Sequence, residues 1–198
     1  AADERGEIVD GDRILYLLAC DYREKGRLDN QLVIGTSHTN MGVQVALKAL
    51  GIELMRSDVG DKYVIEMMEK TGAVLGGEQS GHIILGDIAT TGDGILTSVR
   101  IAALLKEKRE PFSALSSVAL FPQANLNVRV RDKLRVLNDE SLAGILAEER
   151  EALAGDGRII IRASGTEPVI RILVETASRG QSDAVARRIA RAVEELEK

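Results

Sequence analysis

The sequence predicts an α/β fold: a mostly parallel (mixed) sheet with helices on both faces, then a smaller α+β domain with an antiparallel sheet and two helices. Three observations predict it. From Arg13 to about Arg109, short apolar runs of strand length alternate with segments whose apolar residues recur at helical spacing. Such alternation builds a parallel sheet covered by helices. At Pro111-Phe112-Ser113 and Phe121-Pro122-Gln123 that rhythm stops. Beyond them the order becomes strand, helix, strand, loop, strand, helix, which closes one antiparallel sheet.

Each element follows from its residues. Glu7-Ile8-Val9 reads as a strand and Ile14 onward as a helix, with Asp10 or Asp12 as the N-cap between them. Asp10-Gly11-Asp12-Arg13 also resembles half of an aspartate-rich metal loop. Two carboxylates are too few there, because magnesium wants several oxygen ligands in fixed octahedral geometry. Leu32-Val33-Ile34, Ile52 to Met55 and Ala73-Val74-Leu75 read as buried strands. Val43 to Leu50 and Val64 to Met68 are apolar at helical spacing, with Met67 and Met68 as core or near-core packing. Ile95, Val99, Ala102 and Leu105 form the apolar stripe of a third helix.

Thr36-Ser37-His38-Thr39-Asn40 joins the strand Leu32-Val33-Ile34 to the helix from Gly42 to Leu50. A nucleophilic serine needs a positioned base, and a histidine next in sequence does not provide one. The segment therefore reads as a strand-to-helix turn.

The second unit has a strand from Ala124 to Val130, a helix from Asp139 to Leu153, and a strand at Ile159-Ile160-Ile161. A returning strand from Val169 to Val174 follows, then a last helix striped by Val185, Ile189, Ala192 and Leu196. Arg187, Arg188, Glu194 and Glu195 form its solvated face. At about 80 residues this unit is near the size at which a single core only just suffices.

Composition excludes several classes. The 198 residues are 44% hydrophobic but only 3% aromatic, so the core is aliphatic. A net charge of -5 lacks the basic face of a nucleic-acid binder. No apolar run reaches the ~18 residues of a membrane helix, and no signal peptide is visible. Cys20 is the only cysteine, so no intrachain disulfide forms, and the expected compartment is a reducing cytoplasm.

Two loops carry chemistry. Arg162-Ala163-Ser164-Gly165-Thr166-Glu167-Pro168, closed by Arg171, lies between two strands, so a hairpin returns both arginines to one end of a sheet. Guanidinium groups make planar, paired hydrogen bonds to phosphate oxygens. Ser164 and Thr166 add hydroxyl donors, and Gly165 lets backbone N–H groups approach an anion. The pattern suits a phosphate monoester; an ordinary hairpin with arginines on its wet face would share it. Gly76-Gly77-Glu78-Gln79-Ser80-Gly81-His82 follows an apolar strand. Glu78 accepts hydrogen bonds, while Ser80 and His82 donate or accept, which suits sugar hydroxyls. A solvated loop carboxylate is the plainer reading of Glu78.

Together the loops resemble the alpha-D-phosphohexomutase superfamily. Glu78 to His82 resembles its sugar-recognition loop, and Arg162 to Arg171 its phosphate-binding loop. The likeness extends through Val59-Gly60-Asp61-Lys62-Tyr63-Val64 and Thr90-Thr91-Gly92-Asp93-Gly94, in family order over nearly the whole chain. Gln79 is similar to the phosphoglucosamine mutase branch, whereas the mannose and glucose enzymes more often carry methionine there.

The resemblance implies an isomerase that moves phosphate between the 6- and 1-positions of a hexosamine through a phosphoserine and a bisphosphate intermediate. Family members have four domains. A serine in the first is phosphorylated, and an aspartate-rich loop in the second binds Mg2+. The chain is therefore expected to be a C-terminal piece lacking both loops and inactive alone: residues 1–12 as a remnant of the second domain, 13–118 as the third domain, and 119–198 as the fourth. The partners so implied are a hexosamine phosphate and the missing N-terminal domains. By resemblance, Glu78, Ser80, His82 and Lys62 bind the sugar, and Arg162, Ser164, Gly165, Thr166 and Arg171 hold the phosphate. No metal ligand is assigned in this chain. The alternatives are a phosphomannomutase or phosphoglucomutase piece, or a non-catalytic sugar-phosphate-binding module.

Overall fold

A computed structural model describes residues 1–197 in two compact units, the first Ala1–Leu120 and the second beginning at Phe121. The first unit contains α1 (Gly11–Glu24), β1 (Leu32–Thr36), α2 (Met41–Ala49), β2 (Glu53–Ser57), α3 (Asp61–Thr71), β3 (Leu75–Gly77), β4 (Ile83–Leu85), α4 (Gly94–Lys108) and the short α5 (Phe112–Leu115). Its sheet runs β2-β1-β3-β4. The first three strands are parallel, and β4 is antiparallel to β3.

All five residues of β1 are buried, because helices cover both sheet faces. Val33 packs with Leu15, Leu18, Leu47, Leu75 and Leu104 on one side. Leu32 and Ile34 pack with Val64 and Met68 of α3 on the other. The helices start where side chains satisfy their free N–H groups. Asp10 caps α1 by accepting from Arg13 N, and Asp93 caps α4 by accepting from Ile95 N and Leu96 N.

In the first unit four expectations change. Glu7-Ile8-Val9 is not a strand: only an isolated bridge joins Ala2 to Ile8, and Ile8 is 78% exposed. The strand placed at Ala73–Leu75 begins at Leu75 and runs to Gly77, since pairing of Gly76 with Ile34 and Ile84 overrides the poor strand propensity of glycine. The three-residue β4, too short to show alternation, was not expected. On α4 the inward row is Thr97, Ile101 and Leu104, while Ile95 and Val99 are 79% and 62% exposed. That helix is apolar on more than one side, so its periodicity could not say which stripe faces the sheet.

The second unit contains β5 (Gln123–Arg129), α6 (Lys133–Leu137), α7 (Glu140–Leu153), β6 (Gly157–Ala163), β7 (Val169–Thr176) and α8 (Arg179–Leu196). Its sheet is antiparallel in the order β5-β7-β6. The short α6 is a third helix where two were expected. Ile170, Ile172 and Val174 of β7 pack against Leu142 and Leu146 of α7 and Val185, Ile189 and Val193 of α8. Alternation along β7 then turns Arg171 to the opposite face. Arg187, Arg188, Glu194 and Glu195 are exposed, and Arg188 pairs with Glu149 at 2.8 Å.

Candidate sugar and phosphate loops

In the first unit, the parallel strands β1, β2 and β3 end in Thr36, Ser57 and Gly77. The chain leaves β1 through α2 to reach β2 on one side, then crosses back through α3 to β3 on the other. α2 and α3 pack on opposite sheet faces. Strand order therefore reverses between β1 and β3, and ligands of open α/β sheets bind beyond the strand ends at such a point. The loop from Glu78 to His82 lies there, joining β3 to β4.

Its own backbone closes the loop: Glu78 N donates to His82 O at 2.9 Å, and Gly81 N to Glu78 O at 2.9 Å. The Glu78 carboxylate accepts from Gly60 N at 3.1 Å. This fixes it beside the segment after β2, where Gly60 has φ +128°, a conformation L side chains rarely adopt. The next residue, Asp61, places Oδ2 3.9 Å from His82 Nε2. Glu78, His82 and Asp61 are thus gathered around one peptide. Ser80 is exposed at the tip of the loop. Lys62 extends along α3, with Nζ 3.8 Å from Glu66 Oε1 and 5.9 Å from the centre of the Tyr63 ring. Among the described residues, the ion pair of Lys62 is with Glu66.

One fastening was not foreseen. Gly11 N donates to Gln79 O at 3.0 Å. Gln79 Nε2 donates to Asp12 Oδ2 at 3.2 Å, and Asn40 N donates to the same oxygen at 2.9 Å. Gly11 has to be glycine, because a Cβ there would stand 2.0 Å from Glu78 O. The Asp-Gly-Asp segment and the Thr36–Asn40 turn therefore support the loop from Glu78 to His82. Asp10 is engaged as a cap, and Asp12 is wholly buried among N–H donors. Asp12 is closed to solvent and one oxygen of Asp10 is spent on the cap, so this segment does not offer the several oxygen ligands that magnesium needs. Among the described residues, no group of three or more His, Cys, Asp and Glu could hold a metal ion. Asn40 caps α2 by accepting from Gly42 N at 2.8 Å, and Ser37 N bonds Ser57 O at 2.9 Å. The segment is a strand-to-helix turn.

In the second unit, Arg162 and Arg171 are direct cross-strand partners on β6 and β7. Like charges placed opposite one another repel, so the pair favours an anion between them. Glu167 supplies one contact, with Oε2 2.8 Å from Arg171 Nη2. Arg162 has no ion pair among the described residues. Ser164 is buried; its N–H donates to Val169 O at 2.9 Å, and its hydroxyl accepts from Glu167 N at 3.3 Å. Gly165 and Thr166 are exposed at the tip, and a Cβ at Gly165 would meet nothing within 4 Å. Sequence reasoning missed Lys133, whose Nζ donates to Ser164 O at 2.7 Å and Glu167 O at 3.1 Å. No motif marks it, since it lies some thirty residues upstream of the loop.

The alpha/beta/alpha domain III of phosphoglucomutase/phosphomannomutase matches residues 10–120, and the C-terminal domain of the same family matches residues 126–192. The chain belongs to this family, the alpha-D-phosphohexomutases. Phosphoglucosamine mutase of Anoxybacillus flavithermus is 43% identical over 196 residues, 98% of this chain and 44% of the relative. That of Geobacillus kaustophilus is 44% identical over 191 residues, 96% of this chain and 42% of the relative. The chain thus spans less than half the length of these curated relatives. Among solved structures, the N-acetylphosphoglucosamine mutase of Aspergillus fumigatus aligns with TM-score 0.77 and 22% identity, covering 98% of this chain and 45% of that one. A phosphoglucomutase/phosphomannomutase family protein of Burkholderia thailandensis aligns with TM-score 0.72 and 20% identity, covering 98% of this chain and 44% of that one. At such identities these two structures share the phosphohexomutase fold.

Proposed function

We propose that this chain carries the substrate-recognition domains of a phosphoglucosamine mutase, which interconverts glucosamine 6-phosphate and glucosamine 1-phosphate. The observation that carries the proposal is the cross-strand pair Arg162–Arg171, flanking an exposed Gly165-Thr166 tip. Two guanidinium groups on one sheet face offer planar donors to a phosphate monoester. Similarity to proteins named phosphoglucosamine mutase supports the choice of sugar.

In this proposal Arg162, Ser164, Gly165, Thr166 and Arg171 hold the phosphate that is not reacting. Glu78, Ser80 and His82 take sugar hydroxyls, and Lys62 is a further substrate-binding residue. A bisphosphate intermediate that turns between two transfers can place either phosphate in one fixed anion site. Phosphoryl transfer itself requires an activated nucleophile and charge neutralisation. We assign these to other family domains, which work in the cytoplasm with this chain.

Two measurements on the purified chain test the proposal. With glucosamine 6-phosphate, magnesium and a bisphosphate activator it should show no turnover above a contaminant control. In calorimetric titration, glucosamine 6-phosphate should bind more tightly than glucose 6-phosphate or mannose 6-phosphate. Tighter binding of either other sugar would assign the chain to another branch of the family.

A further inference from the structure

The anion loop has a support that lies outside its own sequence. Lys133 is the first residue of α6, whose cap is the Asp132 side chain accepting from Leu134 N and Arg135 N. From that fixed start its ammonium donates to two loop carbonyls, Ser164 O at 2.7 Å and Glu167 O at 3.1 Å. In a planar trans peptide the C=O and the following N–H point in opposite directions. Drawing Ser164 O towards Lys133 therefore turns the N–H of Gly165 away from it. The peptide after Glu167 has no N–H, because Pro168 follows. Gly165 N–H is thus the donor that this clamp presents, and Gly165 lies exposed at the tip with open space where a Cβ would be.

We propose that Lys133 is the positioning residue of the phosphate loop, holding Ser164 O and Glu167 O on one side so that the Gly165 N–H points out to a phosphate on the other. The inference rests on the phosphate-binding reading of the loop. The ammonium does not touch the anion in this arrangement. It orients the backbone donor and adds positive potential beneath the loop. Backbone N–H groups fixed in this way bind anions without reorganising. A hydrogen bond to a charged group shifts affinity by roughly ten- to a hundred-fold.

Inorganic phosphate titrated into the 15N-labelled chain tests this, with the Gly165 amide resonance as the readout. The unaltered chain should show a saturable shift of that amide. Lys133→Met should weaken the apparent affinity by roughly ten-fold or more, and Lys133→Gln should weaken it similarly. Lys133→Arg keeps N–H donors for both carbonyls and should recover most of the affinity. Unchanged affinity in Lys133→Met would overturn the inference while leaving the phosphate reading intact. Loss of the fold in both Lys133→Met and Lys133→Gln would make Lys133 a folding residue and also overturn it. No saturable Gly165 shift in the unaltered chain would overturn the phosphate reading, and the inference with it.

Discussion

The side-chain nitrogen of Gln79 donates to the buried carboxylate of Asp12 at 3.2 Å. The same carboxylate oxygen accepts the N–H of Asn40 at 2.9 Å. One buried acid therefore ties the sugar loop to the start of α1 and to the turn before α2. Gln79 is a fastener of the loop, and the proposed function leaves sugar recognition to its neighbours Glu78 and Ser80.

Removal of that acid leaves buried donors without an acceptor. Each such hydrogen bond to a charged group is worth about 1.5–3 kcal/mol. Asp12→Ala should destabilise the first unit by about 3 kcal/mol, and Gln79→Met, which removes one donor, by less. Urea unfolding followed by probes in each unit should show the first unit weakened and the second unchanged. Equal stability of the Asp12→Ala protein would remove the junction from the account.

Gly11 gives a sharper steric test. A methyl group there would meet Glu78 O at 2.0 Å and Gly81 N at 2.6 Å, both backbone atoms. Gly11→Ala should force α1 and the sugar loop apart and cost several kcal/mol, roughly the scale of overpacking a tight core. Ala at Gly165, where nothing lies within 4 Å, should by contrast change stability by less than about 0.5 kcal/mol. Similar losses at both positions would contradict the packing described.

The two loops should divide recognition. Glu78→Ala should lower affinity for glucosamine 6-phosphate by roughly ten- to a hundred-fold, as expected for lost hydrogen bonds to a charged group. Inorganic phosphate binding should hardly change. An equal fall in both affinities would show that Glu78 does not act on the sugar alone.

Arg171→Lys separates a phosphate site from a wet hairpin face. Lysine keeps the charge but loses the planar fork. Phosphate affinity should fall by about ten-fold, with stability changed by about 1 kcal/mol or less, since half-exposed Arg171 lies on the face opposite the buried isoleucines. The contact between Glu167 and Arg171 adds a related expectation: Glu167→Gln should raise phosphate affinity, because the guanidinium is then free of its intramolecular partner. Unchanged affinity in both variants would assign these residues to the hairpin alone.

Cys20 should be a poor nucleophile. Burial is the main cause that pushes its thiol above the usual cysteine range. Less thiolate is then present at neutral pH, and the thiolate is the reactive form. Alkylation by iodoacetamide at pH 7.5 should be slow in the folded chain and speed up on unfolding in urea. Equal rates in the two states would contradict the burial.

Much of this was legible in the sequence because local rules and tertiary packing agree. Val33 and Ile34 sit in a run apolar on both faces, as a central parallel strand requires. Asp10, one of the two N-cap candidates before α1, caps that helix through its side chain. Where local rules leave a choice, the sequence was silent. The apolar surface of α4 offers two stripes, and only packing selects Ile101 and Leu104 over Ile95 and Val99. Gly76 and Gly77 look like loop residues and become strand through pairing with neighbours. The supports of the site were hidden for a related reason. Asp12 and Lys133 reach loops 67 and 31 residues away, and no short motif encodes such separations.

The proposed function assigns the sugar to one unit and the phosphate to the other. Its most direct test is a pair of titrations of the 15N-labelled chain, one with inorganic phosphate and one with glucosamine 6-phosphate, following the backbone amides of both loops. Inorganic phosphate should shift Gly165 and Thr166 and leave Glu78, Ser80 and Gly81 in place. Glucosamine 6-phosphate should shift both sets. Inorganic phosphate shifting the Glu78–His82 loop as strongly as the Arg162–Arg171 loop, or glucosamine 6-phosphate shifting neither, would contradict the account.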